Sequence, residues 1–155
     1  MNKFLKILGG IFLFLLVGGG IAIAVLYFKS LPLEKNATSY FNENIPLIVE
    51  SWDSEALIKR ATPELLQQAS KKQMQEMFTW LSKLGKIKKV EVPSVVITTG
   101  TYPNTPYNGT WATCDADAQF EAGAAKIRMV LKRNGDSWLI MGFHVNSPAL
   151  MATNG

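Results

Sequence analysis

Between Lys6 and Lys29 the chain carries no charge. Ile7 to Phe28 is one apolar run in which Gly9, Gly10, Gly18, Gly19 and Gly20 are set among Leu, Ile, Phe and Val. A run of about 22 residues at ~1.5 Å each makes a helix of about 33 Å, slightly longer than the ~30 Å hydrocarbon core of a bilayer. Backbone in lipid must satisfy its own hydrogen bonds, so the run is expected to be helical despite its glycines. Tyr27 and Phe28 stand at one end, where interfacial aromatics belong, and Lys29 follows them. The first 29 residues therefore read as a single-pass membrane anchor. The rival reading is a cleaved signal peptide, with Lys3 and Lys6 as its basic start and Ala22-Ile23-Ala24 as the cleavage site. The run exceeds the ~7–15 residues of an ordinary signal core, which favours the anchor. No cysteine follows the run, so a lipoprotein anchor is excluded.

The flanks of the run also explain the charge. The formal net charge is +4, and Lys3, Lys6 and Lys29 account for most of it; the remainder of the chain is nearly neutral. Nucleic-acid binding requires a clustered basic face, so a basicity that comes largely from the membrane flanks is poor evidence for it, and no nucleic-acid partner is expected. The lysine bias puts the N-terminus on the cytoplasmic side of an inner membrane and the rest in the periplasm or another extracytoplasmic space. Gly18 with Ala22, and Gly20 with Ala24, have the small-xxx-small spacing that lets two membrane helices approach. A homodimer or a membrane-proximal protein partner is thus expected, besides the bilayer itself.

Roughly 125 residues remain, enough for one compact domain with its own core. Residues 30–37, with Pro32, read as a linker, residues 38–148 as the domain, and residues 149–155 as a tail. Helix signals come first. Tyr40, Phe41, Ile45, Ile48, Val49 and Trp52 are candidate inner positions, with Pro46 marking either a first turn near Asn44 or a kink. Asp53 can cap a short helix. Thr62-Pro63 is a helix start, Ser70-Lys71-Lys72-Gln73 fits a capping box, and Gly85 is a stop. Met74, Met77, Phe78, Leu81 and Leu84 recur at helical spacing between the last two signals.

After Gly85 the period becomes two. Ile87 to Thr98 is a β run in which Pro93 indicates an edge or a bulge. Along the next strand Ala112, Cys114, Ala116, Ala118 and Phe120 point one way, and Thr113, Asp115, Asp117, Gln119 and Glu121 the other. Ala125, Ile127, Met129 and Leu131 continue the apolar face, and Asn134-Gly135 signals a hairpin. In the last strand Leu139, Met141, Phe143 and Val145 are expected inside, with Trp138, Ile140, Gly142, His144 and Asn146 outside. Helices followed by antiparallel strands make an α+β fold, with helices on one face of a curved sheet.

The ending Gly135-Asp136-Ser137-Trp138-Leu139-Ile140-Met141-Gly142-Phe143-His144-Val145, behind helices that stop at Leu84-Gly85, resembles the NTF2-like (cystatin-like) superfamily. It is similar to small bacterial domains of that fold carried behind one membrane anchor. The resemblance covers roughly Thr38 to Ser147. It implies a fold rather than an activity, because this frame hosts isomerases, dehydratases, transport factors and secretion scaffolds.

Enzymes on this frame place an acid or a His–Asp pair in a pocket between helices and sheet. Here the inward strand positions are apolar, and Asp115, Asp117 and Glu121 share the outer face with Lys126 and Arg128, as a solvated, charge-paired surface would. His144 shares that face. Cys114 reads as a small buried hydrophobe without an activating base. With one cysteine and one histidine, no four-ligand metal set including both can be built, and no cofactor is implied. Ala112, Ala116 and Ala118 leave room on the inner face, to be filled by Trp52, Phe78 and Trp80 or by a ligand. The expected function is a non-catalytic, membrane-tethered interaction or scaffold domain. Trp138, Ile140 and His144, extended by Tyr102 and Tyr107, are its candidate contact residues. A small-molecule binding domain using the helix–sheet cavity is the alternative, and an isomerase- or dehydratase-type enzyme comes third.

Overall fold

The computed structural model describes the backbone of residues 2–152, and the side chains of residues 19, 21–25 and 32–152. The chain divides into two compact units, Met1–Leu33 and Glu34–Gly155. A helix, α1, is assigned over Asn2–Val49. The expected anchor, Ile7 to Phe28 with its Gly18 and Gly20 positions, falls largely on side chains outside those described. Among the described residues no helix is long and apolar enough to cross a membrane.

The second unit is α+β. Its part of α1 includes Pro46 and buries Ala37, Phe41, Ile45, Ile48 and Val49. Pro46 thus sits inside the helix near its end, and the stretch expected as a linker is helical. Trp52 follows with φ 51°, in the left-handed region. That conformation costs a bulky residue about 1–2 kcal/mol. It aims the indole inward, where it lies 5.4 Å from Phe120 and 6.3 Å from Phe78 and donates from Nε1 to the Gly85 carbonyl at 2.9 Å.

Three short helices follow, each started by the expected cap. Asp53 accepts from the Glu55 amide at the head of α2 (Ser54–Ile58). Thr62 accepts from Leu65 at α3 (Pro63–Gln68). Ser70 and Gln73 form the complete capping box of α4 (Lys71–Leu81). Met74, Phe78 and Leu81 of α4 are buried, whereas Met77 and Trp80 are exposed. Trp80 therefore does not fill the space above the alanines, contrary to expectation; it lies two residues after Phe78, on the far side of the helix. A 3-10 turn over Ser82–Leu84 ends at Gly85 with φ 73°.

The sheet has five strands: β1 (Ile87–Val90), β2 (Ser94–Gly100), β3 (Gly109–Phe120), β4 (Ala124–Asn134) and β5 (Ser137–Asn146). Both β1 and β2 pair with β3, so the single β run expected over Ile87 to Thr98 is one edge broken at Val92-Pro93. β3, β4 and β5 form an antiparallel meander. Ala112, Cys114, Ala116, Ala118, Phe120, Ala125, Ile127, Met129 and Leu131 are buried on the helix-facing side, as the alternation predicts. The β4–β5 turn is centred on Gly135-Asp136, one residue later than the sequence signal, between paired Asn134 and Ser137. Positive φ at Gly135 but not at Asp136 is the II′ pattern.

β5 departs from simple alternation. Val130 pairs with Gly142 but Leu131 pairs with Ile140, which leaves Met141 as the extra residue of a β-bulge. A bulge shifts the side-chain phase by one. On its C-terminal side Phe143 faces inward, as expected; on its N-terminal side Trp138 and Ile140 face inward and are 3 % and 0 % exposed. The outer-face placement of Trp138 and Ile140 is thus corrected: both are core residues. Beyond β5 the chain turns into α5 (Pro148–Met151), whose Leu150 is buried, so the segment expected as a tail belongs in part to the folded unit.

Candidate interaction surface

The helix-facing side of the sheet is closed by aromatic packing. Trp52 bridges Phe78 and Phe120, and Phe78 stacks on Phe143 at 5.9 Å. Among the described residues the buried polar side chains are Ser54, Thr62 and Ser147, and no buried carboxylate, histidine, lysine or arginine occurs. Cys114 is fully buried, and its thiol is pushed up to about 12, first by burial and then by the neighbouring Asp115 charge. It has no nucleophilic character at neutral pH. No group of three or more His, Cys, Asp or Glu capable of holding a metal occurs among the described residues.

The solvent-facing side divides into two halves. In the half near the β3–β4 turn, Arg128 makes a fork with Asp115 at 2.7 and 3.0 Å, and Lys126 meets Asp117 at 2.8 Å. The Asp115 contacts raise the Arg128 pKa, and the Asp117 contacts raise that of Lys126; each pair is mutually neutralised. His144 is exposed beside this lattice, opposite Arg128. A groove of about 570 Å³ lies at this end between β1, β3, β4, β5 and α5. Its charged lining is internally paired, Lys126 with Asp117 and Lys89 with Glu91, and it presents no unmatched charge to recognise a ligand.

The other half is the β2–β3 hairpin. No Asp, Glu, Lys or Arg occurs between Glu91 and Asp115. This uncharged arm carries Val92, Val96, Tyr102 and Tyr107 at 76 %, 59 %, 55 % and 51 % exposure. Its loop is held by the Thr105 amide and hydroxyl, both donating to the Tyr102 carbonyl, and by a bond between the Thr99 and Thr110 hydroxyls at 3.0 Å. Tyr102 lies 6.3 Å and Tyr107 5.5 Å from Trp111 between ring centres, and the three rings with Thr105 line an open cup of about 300 Å³. Gly100 makes the cup: a Cβ there would strike the Tyr102 ring.

Of the residues picked out as contacts, the fold gathers Tyr102 and Tyr107 into the cup and leaves His144 apart on the charged half. Trp138 is removed to the interior, where Arg133 covers its ring at 5.2 Å. Trp111, Val92 and Val96 were not picked out by sequence reasoning. The signal that marks them is the charge-free stretch from Val92 to Cys114, together with the odd-numbered phase that Trp111 shares with Thr113 and Asp115.

The two edges of the sheet are finished differently. On β5, the Ile140 amide donates to the Arg60 carbonyl at 2.7 Å and the Thr62 amide donates to the Ile140 carbonyl at 2.8 Å, an Ala61–Ile140 bridge that covers the edge at Ile140. Lys132 clamps Glu64 beside this cover at 2.8 Å, and that bond, first among its causes, lowers the Glu64 pKa. β2 pairs with β3 on one side and is the outermost strand there.

Comparison with protein-family models, characterised proteins and solved structures returns no match to this chain.

Proposed function

We propose that the protein is a non-catalytic interaction domain on an NTF2-like frame, held at an inner membrane by its N-terminal apolar run and engaging a protein partner close to the bilayer. One observation carries this reading. Exposed apolar and aromatic side chains collect on the uncharged β2–β3 arm, while the interior that an isomerase or a ligand-binding domain would use is filled by Trp52, Phe78, Phe120 and Phe143. Aromatic anchors that remain solvent-exposed are what protein contacts draw their affinity from.

The test replaces Tyr102 or Tyr107 with a benzophenone amino acid in the full chain, in cells, with Lys72 on α4 replaced as the control. Covalent adducts at the two hairpin positions and none at Lys72 are expected. Absence of adducts, or equal adducts at all three, overturns the reading. Carbonate extraction of the same cells addresses the tether: the chain stays with the membrane pellet if the run is an anchor, and release into the supernatant refutes it.

A further inference from the structure

Accepting the interaction reading, we infer that β2 is the docking edge for a second copy of this chain, two β2 strands pairing antiparallel across a two-fold axis at Ile97. A strand at the edge of a sheet presents a row of backbone N–H and C=O groups, and natural proteins guard such rows with charge, proline, bulges or a covering segment. Here one edge has its cover, the Arg60–Thr62 bridge on β5. The guards on the other edge stop short of β2. Lys88, Lys89 and Glu91 lie on or beside β1, and Pro93 withdraws a donor just before Ser94. From Ser94 to Gly100 the edge is uncharged and rich in β-branched residues, the composition that favours strand pairing.

The occupant follows from the symmetry of what this edge displays. An isologous contact must be self-complementary. Antiparallel pairing about Ile97 sets Val96 of each copy opposite Thr98 of the other, on the solvent-facing side. Val92, the most exposed large apolar residue of the domain, and the exposed Tyr102 follow at the two ends of the strand, so antiparallel pairing puts an apolar side chain of one copy toward the same end as an aromatic one of the other. The charges nearest the edge, Lys89 and Glu91, lie outside Ser94–Gly100, so no charged side chains meet within the paired strands. The arm thus matches itself in both polarity and exposure. Two chains tethered to one bilayer would also meet at a far higher effective concentration than in solution, so a short strand pair suffices.

The test uses the full chain in its native membrane. A double variant, Val96→Cys with Thr98→Cys, is oxidised with copper phenanthroline and compared with each single variant; the native Cys114 is buried and stays out of the reaction. Directly opposed positions meet disulfide geometry and diagonal ones do not, so the double variant should give at least ~5-fold more covalent dimer than either single. No excess over the single variants overturns the pairing, and a covalent product with a chain of different mass overturns the second copy in favour of a foreign strand. Independently, Val96→Lys with Thr98→Lys places like charges across the axis and should reduce the dimer fraction, counted by single-molecule photobleaching, by ~10-fold with the melting midpoint kept. An unchanged dimer fraction overturns the proposal even if copies associate through their N-terminal helices. If both assays fail while benzophenone adducts at Tyr102 and Tyr107 persist, the interaction reading survives and the β2 pairing alone is lost.

Discussion

Replacing Trp52 separates packing from backbone geometry at one position. The indole contacts Phe120 and Phe78 and donates to the Gly85 carbonyl, so Trp52→Ala removes two ring contacts, a hydrogen bond and the volume between them. Ring pairs are worth ~0.5–1.5 kcal/mol each and the hydrogen bond about 1 kcal/mol. Together they account for roughly 3 kcal/mol, at the low end of the range for large-to-small core changes, as suits a half-buried residue. Against a typical domain stability of ~5–15 kcal/mol this is a large fraction. The φ of 51° adds a second effect. In an ordinary helix or strand Gly is less stable than Ala by ~0.5–1 kcal/mol, but in the left-handed region Ala is strained and Gly is not. Trp52→Gly should therefore be as stable as Trp52→Ala or more stable by about 1 kcal/mol. Urea denaturation of the full chain in mild detergent, followed by near-UV circular dichroism, measures both. If Trp52→Ala costs less than ~1 kcal/mol, the indole is not a packing centre. If Trp52→Gly is the weaker of the two by the usual margin, the left-handed geometry is wrong.

Further outcomes follow from other sites. Cys114 should react with a thiol reagent only after denaturation. Because its folded pKa of about 12 lies above the ordinary 9.0, the thiol contributes full stability below pH 9 and loses it as pH rises toward 12, which pH-dependent melts will register. Gly85→Ala should destabilise by about 2–3 kcal/mol, since φ is 73° and the new Cβ would come 2.9 Å from the Glu121 Cβ, whereas Gly135→Ala, with open space around it, should lose only about 1 kcal/mol; thermal melts give the order. Asp115→Asn and Arg128→Gln should leave the melting midpoint unchanged, because that fork is solvated on the sheet surface; a marked loss would mean that it supports the fold.

What the sequence revealed, and what it hid, depends on how local each signal is. Asp53, Thr62-Pro63 and Ser70-Gln73 act within one turn of backbone, and each is found capping the helix it announces. The alternation was legible over residues 112–120 of β3 and 125–129 of β4, because small and apolar residues alternate with polar ones there. On β5 it was not, because Trp138, Leu139, Ile140 and Met141 are all apolar and fit either phase. The bulge at Met141 is decided by the register against Val130 and Leu131, a long-range fact. The cup was half legible: Tyr102 and Tyr107 could be named, but their convergence on Trp111 depends on the loop path and on the open face of Gly100.

The unequal edges of the sheet also limit growth. A molecule with two open edges can add neighbours without end and become a fibre. This one has its β5 margin occupied at Ile140 by Arg60, Ala61 and Thr62, which obstructs an incoming strand there, so in the proposed dimer lateral addition happens once, at β2. A seal of two backbone hydrogen bonds is therefore more than trim on the fold. It separates a finite complex from an open-ended polymer, and loosening it would give a chain that pairs once the capacity to pair indefinitely.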